Sequence, residues 1–378
     1  MSDLTLAWHH SRPRLAAALG DRLIAHERIA MFGPRQTGKT TLLRDEVIPY
    51  VESRDRLAVY IDCWMDMDDP LQGINYALQK ALDGLSVKPR GLRRTGSTAV
   101  RKLGVMGASL DLGDPASRQA PARPALMLDN LLTRLLEETA RDLVLVFDEF
   151  QAIAAVKNGP QISASLRAAL TQADKRVGAI FSGSSDVHLL DMFSRSNTPL
   201  YGFAKTEGYE PLGPEFIGFV AKKFREATRR DLNQALAFDA FQELGTQPEP
   251  FLHAVSLVMA NPSWSLAEAL REMLSQQSPN KWSATWRGLT GLQQAALRLV
   301  FEERAPTSAD SVAWAAARLG AKVPPSSLSR ALEALGAKGI LQRRLDSRGW
   351  ALIDPVQRAW LRRNPDAPIK SAQPGPGY

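Results

Sequence analysis

The sequence is poor in cysteine and in long apolar runs. Its single cysteine, Cys63, has no partner for an internal disulfide and suits a reducing compartment. No apolar stretch approaches the roughly 20 residues that a membrane helix needs, which disfavours a helical membrane protein. The N-terminus also lacks the charged-then-apolar layout of a secretion signal. We therefore expect a cytoplasmic protein with no membrane partner.

Acidic residues are also in deficit. The 378 residues include 47 lysines and arginines against 40 aspartates and glutamates, which gives a net charge of +7 and a pI near 9.6. This excess permits binding to nucleic acid without requiring it, because arginine is spread along the whole chain. The length is sufficient for two or three domains.

The most informative motif is the stretch GPRQTGKT at residues 33–40. It follows an apolar run and opens into a second one, which is the strand–loop–helix context of a phosphate-binding loop. Backbone N–H groups of such a loop converge on phosphates, Lys39 would reach the β- and γ-phosphates, and the Thr40 hydroxyl would hold Mg²⁺. The predicted nucleotide-binding residues are Gly33, Pro34, Arg35, Gln36, Thr37, Gly38, Lys39, Thr40 and Thr41.

A second motif is the apolar run 143–147 followed by Asp148 and Glu149. A strand that ends in two acids is typical of the acidic partner of a phosphate-binding loop. Asp148 would bind Mg²⁺, directly or through water, and Glu149 would orient and deprotonate the attacking water. The adjacent glutamate favours hydrolysis by water, so a small-molecule kinase is disfavoured.

A third apolar run, residues 177–181, leads into Ser-Gly-Ser-Ser. A hydroxyl at the end of a strand beside the acidic one could contact the γ-phosphate or the attacking water. Ser184 is the first choice for this role and Ser182 the second, with a plain turn before a helix as the alternative. The sequence contains no Asn-Lys-x-Asp stretch that would recognise guanine, which favours ATP as the nucleotide.

The chain divides into five segments. Residues 1–27 predict an N-terminal helical segment. Residues 28–212 alternate strand-like and helical runs, which is typical of a parallel sheet buried on both faces. Within them, residues 84–124 form a Gly-, Pro- and Arg-rich insertion that is either a nucleic-acid contact or a solvated loop. The other segments are a helical lid (213–280), a C-terminal unit (281–363) and a disordered tail (364–378).

The C-terminal unit has three helical apolar stripes, followed by two short apolar runs around Gly349. This order predicts a winged helix-turn-helix, whose third helix would enter the major groove of double-stranded DNA. Glu333 on that helix would repel phosphate, which leaves open a packing or protein-interaction module. For the DNA-binding alternative, the predicted base contacts are Ser327, Ser329 and Arg330, and the predicted phosphate contacts in the wing are Arg343, Arg344 and Arg348.

As an ordered set, these motifs resemble the archaeal-type ATPase family. That family lies in the STAND branch of AAA+-related P-loop ATPases and is akin to the initiator ATPases of replication origins. The resemblance covers about residues 28–363, and it implies an α/β P-loop NTPase sheet, a helical lid and a C-terminal winged helix. The stretches that carry it are 32–40, 147–151, 181–185, 192–202, 210–212 and 352–361.

Two departures from the family pattern matter. Many relatives carry an arginine just after the glycine that matches Gly202, whereas Phe203 follows here. A charge-stabilising role would pass to Arg195 or Lys205, or to another subunit. In the lid, STAND proteins usually show Gly-x-Pro, whereas residues 245–248 are one residue longer.

The sequence thus predicts an ATP- and Mg²⁺-dependent ATPase switch. Its nucleotide state would control DNA binding or partner assembly through the winged helix. The alternative is an ATP-binding interaction scaffold with little or no hydrolysis, which Phe203 favours. ATP and ADP are the expected ligands, and double-stranded DNA, a protein partner and self-assembly are left open.

Overall fold

The fold is given by a computed structural model of the chain. The structure describes residues 8–86, 123–184, 187–276, 279–343 and 349–371. Most of the insertion expected at residues 84–124 lies outside these ranges. Among the described residues, no helix is both long enough and apolar enough to cross a bilayer.

Five parallel strands form the central sheet of the described chain. They are β1 (Arg28–Gly33), β2 (Leu57–Asp62), β3 (Leu143–Asp148), β4 (Val177–Ser184) and β5 (Lys205–Gly208). Their order is β2–β3–β4–β1–β5, so β4 separates the strand before the phosphate loop from the acidic strand. The register pairs Gly33 with Ser184 and Asp62 with Asp148. The carboxyl ends of the strands therefore meet at one edge, where ligands of open α/β sheets bind.

Helices cover both faces of this sheet. They are α1 (Pro13–Ile24), α2 (Lys39–Leu42), α3 (Ile48–Ser53), α4 (Pro70–Ser86), α5 (Pro124–Thr139), α6 (Ala152–Ala155), α7 (Gly159–Gln172) and α8 (Val187–Ser194). A π-helical turn, Leu43–Val47, joins α2 to α3. On one face Phe147 and Phe181 stack with ring centroids 5.1 Å apart, and on the other Val146 and Ile180 pack beneath α1 and α2. Burial on both faces explains why the strands read as nearly continuous apolar runs.

The lid consists of four helices, α9 (Pro214–Thr228), α10 (Gln234–Glu243), α11 (Pro248–Ala260) and α12 (Leu266–Gln276). Its core contains Phe216, Phe241 and Phe251, whose rings lie 5.1 to 6.0 Å from one another. Aromatic pairs at such distances pack favourably beyond the apolar area they bury. The lid therefore has an interior of its own beside the sheet.

The C-terminal unit has the helices and hairpin of a winged helix. Its elements are α13 (Pro279–Gly288), α14 (Gly291–Phe301), α15 (Ala309–Leu319), α16 (Pro325–Ala337), β6 (Leu341–Arg343), β7 (Trp350–Leu352) and α17 (Pro355–Arg363). The two strands are antiparallel, with Leu341 opposite Leu352. Trp282 and Trp286 of α13 are buried in this unit's core together with Trp350. The sequence reasoning missed α13 as a separate helix, although Trp282, Trp286 and Leu289 follow one another at helical spacing.

The tail begins differently from the expectation. Residues 364–371 were expected to be disordered, but they pack along the winged helix. Arg298 donates to the Asn364 carbonyl at 2.7 Å, and the Lys370 backbone N–H donates to Gln294 Oε1 at 2.8 Å. Ile369 contacts the apolar core of the unit. Buried polar partners on the helices thus hold a segment that has few apolar residues of its own. Residues 372–378 lie outside the described ranges.

Candidate nucleotide site

The phosphate loop, residues 33–40, joins β1 to α2. Two of its residues have left-handed backbone angles, Gln36 with φ of 59° and Gly38 with φ of 97°. A side chain at Gly38 would be strained, since L-residues avoid that region. At Gly33, a Cβ atom would lie 2.7 Å from Cβ of Tyr209, so only glycine fits. Glycine is therefore favoured at position 38 by the backbone conformation, and at position 33 by the lack of space for a side chain.

Lys39 is the first residue of α2, and its side chain folds back over the loop. Nζ donates to the Gly33 carbonyl at 2.9 Å and to the Pro34 carbonyl at 2.6 Å. The residue is only 7% exposed, and burial lowers the pKa of Lys39 to about 8. Asp148 and Glu149 oppose that shift, because their carboxylates favour the charged amine. An ammonium group held inside a loop of backbone N–H donors is suited to a phosphate ligand.

Asp148 ends β3 and connects directly to the phosphate loop. Thr40 Oγ1 donates to Asp148 Oδ2 at 2.6 Å, and the Tyr60 hydroxyl donates to the same oxygen at 2.9 Å. Asp148 is 2% exposed. A hydroxyl and a carboxylate are hard oxygen donors of the kind that Mg²⁺ prefers, usually alongside water and phosphate oxygens. Thr40 and Asp148 therefore fit the ion that the sequence predicts.

Glu149 follows Asp148 in an unusual conformation. Its φ is 51°, a left-handed angle that non-glycine residues adopt uncommonly, and its backbone N–H donates to Asp148 Oδ1 at 3.1 Å. The side chain is half-buried and accepts a hydrogen bond from Nε2 of Gln151. Burial raises the pKa of Glu149, and the neighbouring Asp148 carboxylate adds to the rise. A carboxylate with a raised pKa is suited to accept a proton from water.

The two serines predicted on β4 differ in their surroundings. Ser182 is fully buried, and its Oγ has no hydrogen-bond partner among the described residues. Ser184 is the last residue of β4, in register with Gly33 at the start of the phosphate loop. Both thus lie at the carboxyl end of the strand between β1 and β3. A contact of either serine with phosphate or water stays a prediction.

Arg195, the predicted charge-stabilising residue, lies just after α8. Its guanidinium is 64% exposed and forms an ion pair with Asp191 at 2.7 Å. Lys205 is exposed at the start of β5. Phe203 is buried, with the Arg28 guanidinium 4.4 Å and the Arg167 guanidinium 5.2 Å from its ring centroid. A buried ring with two guanidinium groups against it is a packing element, so Phe203 belongs to the core here.

Sequence reasoning missed Tyr209 and Arg12. The Tyr209 hydroxyl donates to the Thr37 carbonyl of the phosphate loop at 3.1 Å and accepts from Arg12 Nη1 at 3.1 Å. Arg12 also donates to the Glu210 carbonyl at 2.7 Å. These contacts join the N-terminal segment and the strand-to-lid connection to the phosphate loop. The stretch 210–212, matched at sequence level, begins one residue after Tyr209, which was the available signal.

A cavity of about 210 Å³ opens beside the phosphate loop. It lies between the N-terminal segment, the start of α2 and the lid. Glu46 fixes the N-terminal wall, because its carboxylate accepts from Ser11 Oγ at 2.9 Å and lies 3.2 Å from His9 Nε2. Burial lowers the pKa of His10, which favours the neutral form of its ring in this wall. The lining includes Trp8, His10, Gly38, Thr41, Leu212, Phe216 and Leu252.

No protein-family model and no curated protein matches the sequence. Among solved structures, the chain is similar to a Walker-type ATPase of Pyrococcus abyssi, with a TM-score of 0.61 and 17% identity over 93% of this chain and 95% of that one. The chain shares the fold of a Walker-type ATPase. The predicted fold class, a P-loop sheet with a lid and a C-terminal winged helix, is thereby confirmed.

Two further solved structures are similar over most of their length. Cdc6p of Pyrobaculum aerophilum has a TM-score of 0.45 and 16% identity, over 96% of this chain and 97% of that one. Orc1 of Aeropyrum pernix, solved in complex with DNA, has a TM-score of 0.46 and 12% identity, over 94% of this chain and 93% of that one.

Of the predicted DNA-contacting residues, the structure describes four, three on α16 and one at the end of β6. Ser327, Ser329 and Arg330 follow one another along the first turns of α16. Ser329 Oγ and Arg330 Nε donate to backbone carbonyls one turn earlier on the same helix, at 3.4 Å each. Arg343 ends β6, whereas Arg344 and Arg348 lie outside the described residues. DNA contact by this set stays a prediction.

The lid contacts the winged helix at the turn between α10 and α11. Gln247 is buried, and its Nε2 donates to the Ile353 carbonyl at 3.2 Å. Glu243 at the end of α10 accepts from Arg362 of α17 in an exposed ion pair. Pro248, the next residue after Gln247, lines the cavity beside the phosphate loop. The one-residue-longer lid motif therefore lies between the cavity and the C-terminal unit.

Proposed function

We propose that this chain binds ATP with Mg²⁺ and hydrolyses the γ-phosphate bond with water. The observation that carries the proposal is the hydrogen bond of Thr40 to Asp148, because it closes the phosphate loop onto the acidic strand. Lys39 and the loop N–H groups would bind the β- and γ-phosphates. Thr40 and Asp148 would hold Mg²⁺, which neutralises phosphate charge when bound. Glu149 would accept the proton of the attacking water.

The base of the nucleotide would occupy the cavity beside the phosphate loop. Gly38 and Thr41 line the cavity on the side of the phosphate loop. One ligand would therefore extend from the loop into the cavity. Leu212, Phe216 and Leu252 offer apolar surface for a planar base. The segment that contains Trp8 and His10 would then cover the base, held by Glu46.

Nucleotide state would reach the winged helix through the α10–α11 turn. Pro248 and Leu252 of α11 line the cavity, and Gln247 and Glu243 beside them bond to the C-terminal unit. A shift of α11 on nucleotide binding would therefore move the partners of Ile353 and Arg362. We propose that the nucleotide state controls the binding of double-stranded DNA by α16, Arg343 and the wing. The proposed compartment is the reducing cytoplasm, which suits the buried free thiol of Cys63.

The test is steady-state phosphate release by the wild-type protein and by Glu149→Gln, with ATP affinity measured in parallel. We expect Glu149→Gln to lose about 10²–10⁴-fold in kcat, the usual range for a general base, while ATP binding is kept. Glu138→Gln, an exposed glutamate of α5, is the matched control and should turn over like the wild type.

Other outcomes discriminate between functions. Tight ATP binding without turnover by the wild type would favour the scaffold alternative. The observation behind that alternative is that Phe203 is a packed core residue and Arg195 is paired with its neighbour Asp191. Equal turnover by wild type and Glu149→Gln would contradict the assigned role of the glutamate.

A further inference from the structure

Gln151 is a buried amide whose role the ATPase proposal leaves open. It lies in the turn between β3 and α6, two residues after Glu149, and is 6% exposed. Its Nε2 donates to Glu149 Oε2, while its Oε1 is buried without a hydrogen-bond partner among the described residues. Leaving a buried amide oxygen unpaired has a free-energy cost, so a surrounding constraint must hold this orientation.

The constraint comes from the end of β4. A Cβ atom at Gly183 would overlap with Oε1 of Gln151 and with Cδ2 of Leu189. The turn is tied to the same strand by its backbone, because the Phe150 N–H donates to the Ser182 carbonyl at 3.0 Å. The Gln151 side chain is therefore confined between Glu149 and a glycine that leaves no spare room.

Glu149 in turn lies beside the phosphate loop. Its backbone N–H donates to Oδ1 of Asp148, whose Oδ2 accepts a hydrogen bond from Thr40 of the loop. Its backbone is in the left-handed region, a conformation that persists only where surrounding contacts enforce it. The bond from Gln151 acts on the carboxylate itself, the part of the residue that would contact water.

We propose that Gln151 is the positioning residue for Glu149, and that Gly183 is a glycine because it leaves room for the Gln151 amide. The assignment rests on the proposed ATPase function. Gln151 does not touch the nucleotide; it restricts the carboxylate to the orientation in which it can accept a proton from the attacking water. A misplacement of about 1 Å in such a group can cost about 100-fold in rate.

The first experiment uses Gln151→Met, which keeps an unbranched side chain of similar length and removes the amide donor. We expect kcat for ATP hydrolysis to fall about 10- to 100-fold, within the range that misplaced catalytic groups show, with the Kd for ATP unchanged within about twofold. The control is Gln294→Met. Gln294 is also a buried glutamine, but it lies in the winged helix, where its Nε2 donates to the Trp286 carbonyl at 2.7 Å. It should leave both kcat and Kd unchanged.

The second experiment displaces the Gln151 amide by a substitution on the neighbouring strand β4. Gly183→Ala should displace Gln151 and lower kcat to a similar extent. In the double variant Gly183→Ala with Gln151→Met, the two losses should be clearly less than multiplicative, because both act through one side chain. Gly183→Ala alone still tests the proposal if Gln151→Met does not fold.

The outcomes separate the two proposals. Wild-type turnover that Gln151→Met leaves unchanged would overturn the positioning role and leave the ATPase intact. A loss of ATP affinity equal to the loss of kcat would overturn it as well, since that pattern indicates damage to the binding site. Absence of turnover in the wild type would overturn the ATPase proposal, and this inference with it.

Discussion

The phosphate loop and helix α16 both carry predicted binding residues, but their side chains are bonded in different ways. At the loop, partners come from distant parts of the chain: Thr40 bonds to Asp148, 108 residues away, and Tyr209 bonds to Thr37, 172 residues away. On α16, Ser329 and Arg330 donate to carbonyls four residues earlier.

The distant partners at the phosphate loop are evidence for a binding site, whereas the local bonds on α16 are only compatible with one. Local side-chain bonds of Ser and Arg to the preceding turn form on many helices and report little about function. Convergent bonds between distant segments require several elements to be ordered together, and their buried members, Asp148 and Thr37, are costly to bury unless they are paired. We therefore expect substitutions in the phosphate loop to weaken ligand binding strongly, and substitutions on α16 to weaken it only slightly.

The largest effect is expected for Lys39→Ala. Hydrogen bonds from a charged group contribute about 1.5–3 kcal/mol each, so losing the ammonium should weaken ATP binding by about 100-fold. Isothermal titration with ATP and Mg²⁺ measures this change. Lys175→Ala, at an exposed lysine two residues before β4, is the control and should bind like the wild type. Unchanged affinity of Lys39→Ala would show that the buried loop is not the phosphate site, and the comparison would then fail.

An intermediate effect is expected for Tyr209→Phe. The change leaves the Thr37 carbonyl and part of the Arg12 guanidinium without their partner, at a cost of about 1–2 kcal/mol, which corresponds to about 5- to 30-fold in ATP affinity. Tyr201→Phe, at an exposed tyrosine, controls for loss of a hydroxyl. The same titration distinguishes them, and equal affinities for the two variants would indicate that the N-terminal contacts do not support the loop.

The smallest effect is expected for Arg330→Ala on duplex-DNA binding, which we expect to weaken by less than about tenfold, as for one exposed contact. Fluorescence anisotropy with labelled duplex measures it, and Arg271→Ala is the control, because that lid arginine also donates to its own helix, at 3.3 Å. A loss above 100-fold would place a dominant recognition residue on α16 and reverse the order of the comparison.

Much of the fold follows from local patterns in the sequence. Apolar runs such as 143–147 predict strands covered on both faces, and the structure has them in one parallel sheet. The winged helix follows from three apolar stripes and a short hairpin. Both patterns arise because residues at regular spacing along one strand or helix are buried. Residues that are close in sequence therefore suffice to predict them.

The supporting residues of the site did not follow from such patterns. Tyr209 and Arg12 meet across 197 residues, and Gln151 bonds to Glu149 through a turn with no periodic signal. The ordered part of the tail was missed because its stabilising partners, such as Gln294 and Arg298, lie on another element. Motif chemistry can identify the groups that touch a ligand, whereas the groups that hold them are defined by the fold.

The central claim is that a nucleotide in the phosphate loop is coupled to the winged helix through the α10–α11 turn. Hydrogen–deuterium exchange of Glu149→Gln with ATP, with ADP and without nucleotide tests it directly. We expect ATP to change exchange at the phosphate loop, at residues 243–252 and at residues 353–362, and we expect Gln247→Ala to remove only the last of these changes. Changes confined to residues 28–212 in every nucleotide state would contradict the coupling.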